Sequence, residues 1–240
     1  MMSIGMRFDA CLSDTNTELI TAYNTIKANP KGVIELLQRY EREYKAYQPH
    51  SKKQQEYYFQ LRAARNNNIK SSNGVEIAAL FIMLNKTGYN GAYRVNRNGG
   101  FNIPPGKFKN PLICDSSNLE TVSKALAGTT ILTADYRHVM ENAQKGDFVY
   151  LDPPYDPVGS TASFTAYTPN GFGREDQVQL ASVFRKLSDR VCFILLSNSD
   201  TPSIRELYSG FNIKEVKARR AMNCDSSKRI GQELLISNYS

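Results

Sequence analysis

Apolar positions along this chain repeat with two periods, one helical and one alternating or continuous, and the two kinds of segment take turns. Arg7 to Ser13 has strand character and ends at Asp14; Leu19, Ile20, Tyr23 and Ile26 then recur at helical spacing until Asn29-Pro30 closes the segment. Thr15 and Glu18 ahead of that stripe have capping-box spacing. From Pro30 to about Asn73 the pattern is helical and polar, with Lys52, Lys53, Arg62 and Arg65 among Tyr and Gln residues, the composition of a solvated helix face. Val75 to Leu84 predicts a helix with a buried face. Further on, Thr121 to Leu126 predicts a helix, Thr130 to Thr133 a strand with Asp135 at its end, and Arg174 to Leu187 an amphipathic helix. The apolar runs Phe148 to Leu151 and Val191 to Leu196, the latter ending in Ser197-Asn198, predict buried strands. Asn212 to Val216 and Glu233 to Asn238 predict two more, around a basic loop with Arg219, Arg220, Lys228 and Arg229. Strand and helix in alternation imply an α/β fold: a doubly wound, mostly parallel sheet with a hairpin at its edge.

One strand end carries unusual chemistry. After Phe148 to Leu151 comes Asp152-Pro153-Pro154-Tyr155. Asp152 offers carboxylate oxygens, the prolines offer carbonyls but no N–H, and Tyr155 offers a flat face. This acceptor-only loop suits a planar exocyclic amino group, whose two hydrogens it can hold so that the nitrogen lone pair is freed to attack an electrophile. A Pro-stiffened turn with Tyr155 merely packed is the bland alternative. Asp14, also at a strand end, can accept from both hydroxyls of a ribose or cap the following helix, and the residues alone leave both roles open.

The segment from Asn85 to Asn110 differs in character. It is rich in Gly and Asn, carries Lys86, Arg94, Arg97, Lys107 and Lys109, and has no acidic residue. Tyr93 to Val95 and Phe101 to Ile103 can pair as a hairpin across Asn98-Gly99-Gly100. Basic side chains interleaved with Tyr89, Tyr93 and Phe101 suit insertion against DNA, where an arginine can read a guanine edge. The overall excess of 30 Lys and Arg over 23 Asp and Glu, a net charge of +7, favours the same polyanionic partner. The four cysteines, Cys11, Cys114, Cys192 and Cys224, and the two histidines, His50 and His138, are spread without metal-ligand spacing, so no metal site is expected. Cys11 and Cys192 sit in apolar runs and are expected to be buried. The longest apolar stretch, Ala78 to Leu84, is too short to span a bilayer, and a cytoplasmic protein is expected.

Four separated pieces closely resemble the Dam-type (GATC) DNA adenine-N6 methyltransferases, across nearly the whole chain: residues 13–27, 85–111 and 148–157, and Phe164 to Tyr167 together with Leu196 to Thr201. The Asn-Gly-x-x-Arg-x-Asn segment is the more specific part, since other amino-group methyltransferases share Asp-Pro-Pro-Tyr. The resemblance implies S-adenosylmethionine as cofactor and direct methyl transfer to N6 of an adenine flipped out of double-stranded DNA. It places Asp152, Pro153, Pro154 and Tyr155 at the reacting amino group, and Asp14, Asp135, Tyr136 and Asp152 against the cofactor. Tyr89, Asn90, Arg94, Asn96, Arg97, Pro104, Lys107 and Lys109 are implied to meet DNA, although Lys107 stands where the GATC enzymes often carry Arg. It further implies a mainly helical target-recognition domain at 44–114, carrying the hairpin and inserted between catalytic parts 1–43 and 115–240, in a bacterial or phage-encoded protein, with or without a restriction partner.

Such enzymes begin with Lys-x-x-Gly-Gly-Lys and a Phe-x-Gly-x-Gly turn, which this sequence lacks. The expectation is therefore a late-starting form, weak alone unless a second chain supplies that segment. Two other readings compete: methylation of a different amino group, cytosine N4 or a protein glutamine, and a DNA-binding remnant without catalysis.

Overall fold

Residues 9–68, 72–158, 172–219 and 230–240 are described by the structure, a computed structural model, which falls into two units, Met1–Ala134 and Asp135–Ser240. In the first unit β1 (Cys11–Asp14) leads into α1 (Thr17–Ala28). The cap is Asn16, not Thr15: its side-chain oxygen accepts from the Glu18 and Leu19 amides at 3.1 and 3.2 Å. Asn caps at least as well as Thr, and the Glu18 carboxylate is engaged by Arg65 rather than free to complete a capping box. The long polar pattern after Pro30 is two helices, α2 (Pro30–Lys45) and α3 (Lys52–Asn68), separated by a bend in which His50 takes φ 63°. α4 (Gly74–Thr87) follows. Its small residues Ala78 and Ala79 are fully buried with Met83, which lets neighbouring helices approach closely.

α5 (Ser116–Ala125) and β2 (Thr130–Thr133) complete this unit. β1 and β2 pair in parallel with Asp14 opposite Thr133, although residues 15–129 lie between them. α1 to α5 and the loop after α4 lie between these two neighbouring strands. Val33 and Leu37 of α2, Tyr58 of α3 and Leu80, Met83 and Leu84 of α4 form the middle of a single core.

The second unit contains α6 (Val139–Asn142), β3 (Phe148–Leu151), α7 (Arg174–Asp189), β4 (Phe193–Ser199), α8 (Pro202–Leu207), β5 (Asn212–Arg219) and β6 (Ile230–Ser237). The strand order is β3-β4-β6-β5, with β3 parallel to β4 and β6 antiparallel to both its neighbours. The α/β expectation thus holds, with two parallel pairs and an antiparallel hairpin at one edge. β3 is not buried on both faces: Val149 and Leu151 are covered, but Phe148 and Tyr150 are 60% and 54% exposed. An apolar run containing aromatics cannot by itself separate one-sided from two-sided burial. β4 runs on through Ser199, so Ser197 and Asn198 lie within the strand rather than beyond it. Cys11 is exposed, contrary to its apolar surroundings in sequence, because all four residues of β1 are; Cys192 is buried as expected.

Among the described residues no helix is long and apolar enough to cross a membrane, and no group of His, Cys, Asp and Glu could hold a metal ion. The core of the second unit is built on Phe184, fully buried on α7 and in edge contact with Tyr208 and Phe211 at centroid distances of 5.2 and 4.8 Å. Phe184→Ala should therefore lower unfolding free energy by about 3–5 kcal/mol, read from urea denaturation.

Candidate functional site

β3 hands its chain directly to Asp152, and two prolines follow. Prolines cannot donate, so the turn cannot brace itself through its own amides. The bracing comes from α7 and β4. Gln177, buried on α7, donates to the Pro154 carbonyl at 2.9 Å and accepts from the side chain of buried Asn198 at 3.1 Å. The Asn198 side-chain oxygen takes the amide of Asp156 at 2.9 Å, and Thr201 donates to the Asp156 carboxylate at 2.6 Å. Three side chains, Gln177, Asn198 and Thr201, thus hold the turn from behind. In front, Ser197 donates to Oδ1 of Asp152 at 2.7 Å, and Tyr150 lies 3.1 Å from the same hydroxyl.

What remains open is an acceptor set. Among the described residues, exposed Asp152 has no partner for its second oxygen and the Pro153 carbonyl accepts no hydrogen bond. Pro154 differs, since Gln177 already occupies its carbonyl. Tyr155 is half-buried beside this set; its hydroxyl reaches Glu233 at 3.4 Å, and burial first of all pushes its ionisation upward, so it presents a neutral ring. Phe164 and Tyr167 fall outside the described residues.

Asp135 and Tyr136 belong to the same unit. Asp135 accepts from the Arg137 guanidinium at 2.7 and 2.9 Å and from its amide at 2.8 Å, bonds that hold the carboxyl below the usual carboxylate range. The Tyr136 ring stands edge-on to Phe172 with centroids 6.0 Å apart, and its buried hydroxyl has no partner among the described residues. In the first unit, Asp14 is exposed and gives one oxygen to the Asn16 amide at 2.7 Å. It makes an Asx turn rather than capping α1, and its other oxygen has no protein partner among the described residues. An exposed, half-used carboxylate at a strand end can accept from hydroxyl donors of a ligand.

The Gly- and Asn-rich segment forms a loop with a distinct front and back. The hairpin is reduced to one antiparallel bridge, Val95 with Phe101, flanked by bonds from Asn96 to Gly100 and from Asn102 to Arg94. Gly88 fits only as glycine, since a Cβ there would stand 2.5 Å from the Leu84 carbonyl. Asn90 takes φ 54°, a left-handed conformation that Asn tolerates, in the short turn Tyr89–Gly91. All eight residues expected to meet DNA are exposed: Tyr89, Asn90, Arg94, Asn96, Arg97, Pro104, Lys107 and Lys109. Asn96 spends its side-chain oxygen on the amides of Asn98 and Gly100, and so shapes the loop tip. Arg94 is steadied by Asn102 through Nε at 2.7 Å, which leaves its terminal nitrogens to the front.

Sequence reasoning missed the back of the loop. Tyr58 and Arg62 donate to the Ile103 carbonyl at 2.9 and 3.2 Å, and Asn66 clamps Phe101 by both its N–H and its C=O. Buried Arg65 bonds to Gly99 and to Glu18, and its burial draws the guanidinium's proton affinity down from the usual arginine value. The available signal was Arg62, Arg65 and Asn66 at helical spacing, which a solvated helix explained equally well.

The brace of the proline turn is testable alone. Gln177→Leu keeps the volume but leaves the Pro154 carbonyl and the Asn198 amide unsatisfied, so unfolding free energy should fall by about 1–3 kcal/mol for each orphaned group, measured by urea denaturation.

The model of the D12 class N6 adenine-specific DNA methyltransferases matches residues 6–222. The type II methyltransferase M.MjaIII of Methanocaldococcus jannaschii is 43% identical over 231 residues, 95% of this chain and 79% of that protein. M1.LlaDCHI of Lactococcus lactis, also a type II methyltransferase, is 40% identical over 235 residues, 96% of this chain and 79% of its own length. The DNA adenine methylase of Escherichia coli K12 is 33% identical over 228 residues, 95% of this chain and 78% of that protein. The chain therefore belongs to the D12 class of N6 adenine-specific DNA methyltransferases.

Proposed function

We propose that this protein transfers a methyl group from S-adenosylmethionine to N6 of adenine in duplex DNA, at a GATC-like site, after flipping the base into the pocket formed by Asp152 to Tyr155. The observation that carries this reading is the division of labour in the turn: the Pro154 carbonyl is consumed by Gln177, while Asp152 and the Pro153 carbonyl stay open beside Tyr155.

The amino nitrogen of adenine is a poor nucleophile because its lone pair is delocalised into the ring. The free oxygen of Asp152 and the Pro153 carbonyl take one N6 hydrogen each, which favours the geometry in which the lone pair stands out of conjugation. Ser197 fixes the Asp152 carboxylate by occupying its other oxygen. Tyr155 offers its ring for stacking, which offsets the loss of base stacking when the nucleotide leaves the helix. S-adenosylmethionine supplies the electrophilic methyl. Asp14 would hold the ribose diol through the oxygen that has no partner among the described residues, and the family resemblance assigns Asp135, Tyr136 and Asp152 to the cofactor as well. Asp135 would have to share its carboxylate with Arg137.

The inserted region, taken as 44–114, serves as target-recognition domain within a doubly wound catalytic sheet. Its front carries Arg94, Arg97, Lys107 and Lys109 for phosphates or base edges, and Tyr89 and Asn90 at the turn for the gap left by the base. Lys107 acts there as a point charge instead of a bidentate fork.

Labelled methyl from S-adenosylmethionine should enter a GATC duplex and should not enter the same duplex already carrying N6-methyladenine. Asp152→Ala should lower kcat by about 100- to 1000-fold while duplex binding persists. Equal labelling of both duplexes, or full activity of Asp152→Ala, would contradict the reading.

A further inference from the structure

We propose that Arg65 couples cofactor binding to DNA binding: its buried ion pair with Glu18 ties the turn that carries Asp14 to the DNA-facing loop, so that each ligand strengthens the other. The proposal rests on the function given above and concerns only residues of the first unit.

Arg65 is 3% exposed on α3, yet its partners beyond that helix belong to two other places, α1 and the loop. Nε donates to Oε2 of Glu18 at 3.0 Å, and Nη2 pairs with the other carboxylate oxygen. Nη1 donates to the Gly99 carbonyl at the loop tip at 2.7 Å and to the Asn66 side chain at 2.9 Å. Tyr93, on the rising limb of the loop, donates to the same Glu18 oxygen at 3.0 Å. Glu18 sits in the first turn of α1, where its amide is capped by Asn16, whose own amide is held by Asp14. A continuous set of hydrogen bonds therefore runs from the proposed ribose-binding carboxylate through Asn16, Glu18 and Arg65 to Gly99.

The physical chemistry of a buried guanidinium makes this set nearly all-or-none. Its donors are costly to leave unmade, and they are satisfied only when the start of α1 and the loop tip are both in place. A displaced loop strands the charge, and so does a displaced start of α1, to which the Asp14 turn is fastened through Asn16. Ordering the Asp14 turn by a bound ribose thus favours the loop arrangement that faces DNA, and clamping the loop on DNA favours the turn that faces the cofactor. Thermodynamic linkage requires the two effects to be equal. Arg65 is in this sense a positioning residue; it need touch neither ligand.

The test is a coupling ratio measured on the full chain. The dissociation constant of a fluorescent GATC duplex is determined without and with saturating S-adenosylhomocysteine, which cannot donate a methyl. Wild-type protein should bind the duplex at least about 5-fold more tightly with the cofactor product, within the usual range of such couplings. Arg65→Met alone leaves Glu18 with an uncompensated charge, so the informative variant is Arg65→Met combined with Glu18→Gln, in which both charges are gone and the fold is retained. That double variant should show a ratio near one, whereas Arg39→Ala on the exposed face of α2 should keep the wild-type ratio. A merely structural role would weaken binding equally in both conditions and preserve the ratio. A folded double variant with the wild-type ratio overturns the proposal, as does a wild-type protein that binds the duplex with no ratio at all; failure of the wild type to bind the duplex or transfer methyl overturns the functional reading along with it.

Discussion

A proline pair at the end of a strand is rigid in φ but has no N–H with which to fasten itself, and the second unit is arranged around that deficit. Gln177 and Asn198, both buried, spend their side-chain amides on the turn. Two such groups can be buried without loss only if each is paired, and they pair with one another as well as with the turn. That requirement fixes α7 against β4, because Gln177 belongs to one and Asn198 to the other. The core around Phe184 and Leu187 then supplies the free energy that keeps those elements in register. The acceptor pocket is thus the exposed tip of a construction whose strength lies behind it.

The Gly- and Asn-rich loop obeys the same logic in the first unit. Its carbonyls at Gly99, Phe101 and Ile103 are anchored by Arg65, Asn66, Tyr58 and Arg62 from α3, so its other face can be exposed and basic without the loop collapsing onto the core. A loop of Gly and Asn would otherwise carry a large ordering cost in meeting any partner; anchoring its back lowers that cost in advance.

Much of this was legible in the residues. Strand and helix alternation gave the α/β class, the Asp-Pro-Pro-Tyr turn fell at the end of β3, and the one-signed loop emerged with all its expected DNA-facing residues exposed. What stayed hidden shares one cause: periodicity reports which face of an element is apolar, and says nothing about which polar side chain crosses to another element. Arg65 and Glu18 lie 47 positions apart, and each has a satisfactory local explanation, one as a surface cation and the other as half of a capping box. Gln177 similarly passes for the polar face of an amphipathic helix. β4 spans Phe193–Ser199 where the apolar run is Val191 to Leu196, because an apolar pattern stops where the residues turn polar and the hydrogen-bond ladder does not.

The central claim is that an adenine leaves the duplex and lies on Tyr155 with its amino group held at Asp152 and Pro153. The most direct measurement replaces the target adenine of a GATC duplex by 2-aminopurine and follows its fluorescence as protein and S-adenosylhomocysteine are added. The account predicts a rise on binding, confined to the target position, and a larger rise with Tyr155→Ala, since the aromatic ring that stacks on the extruded base also quenches it. A duplex that binds with no change in fluorescence at the target position, or with the same change at the neighbouring position, would contradict it.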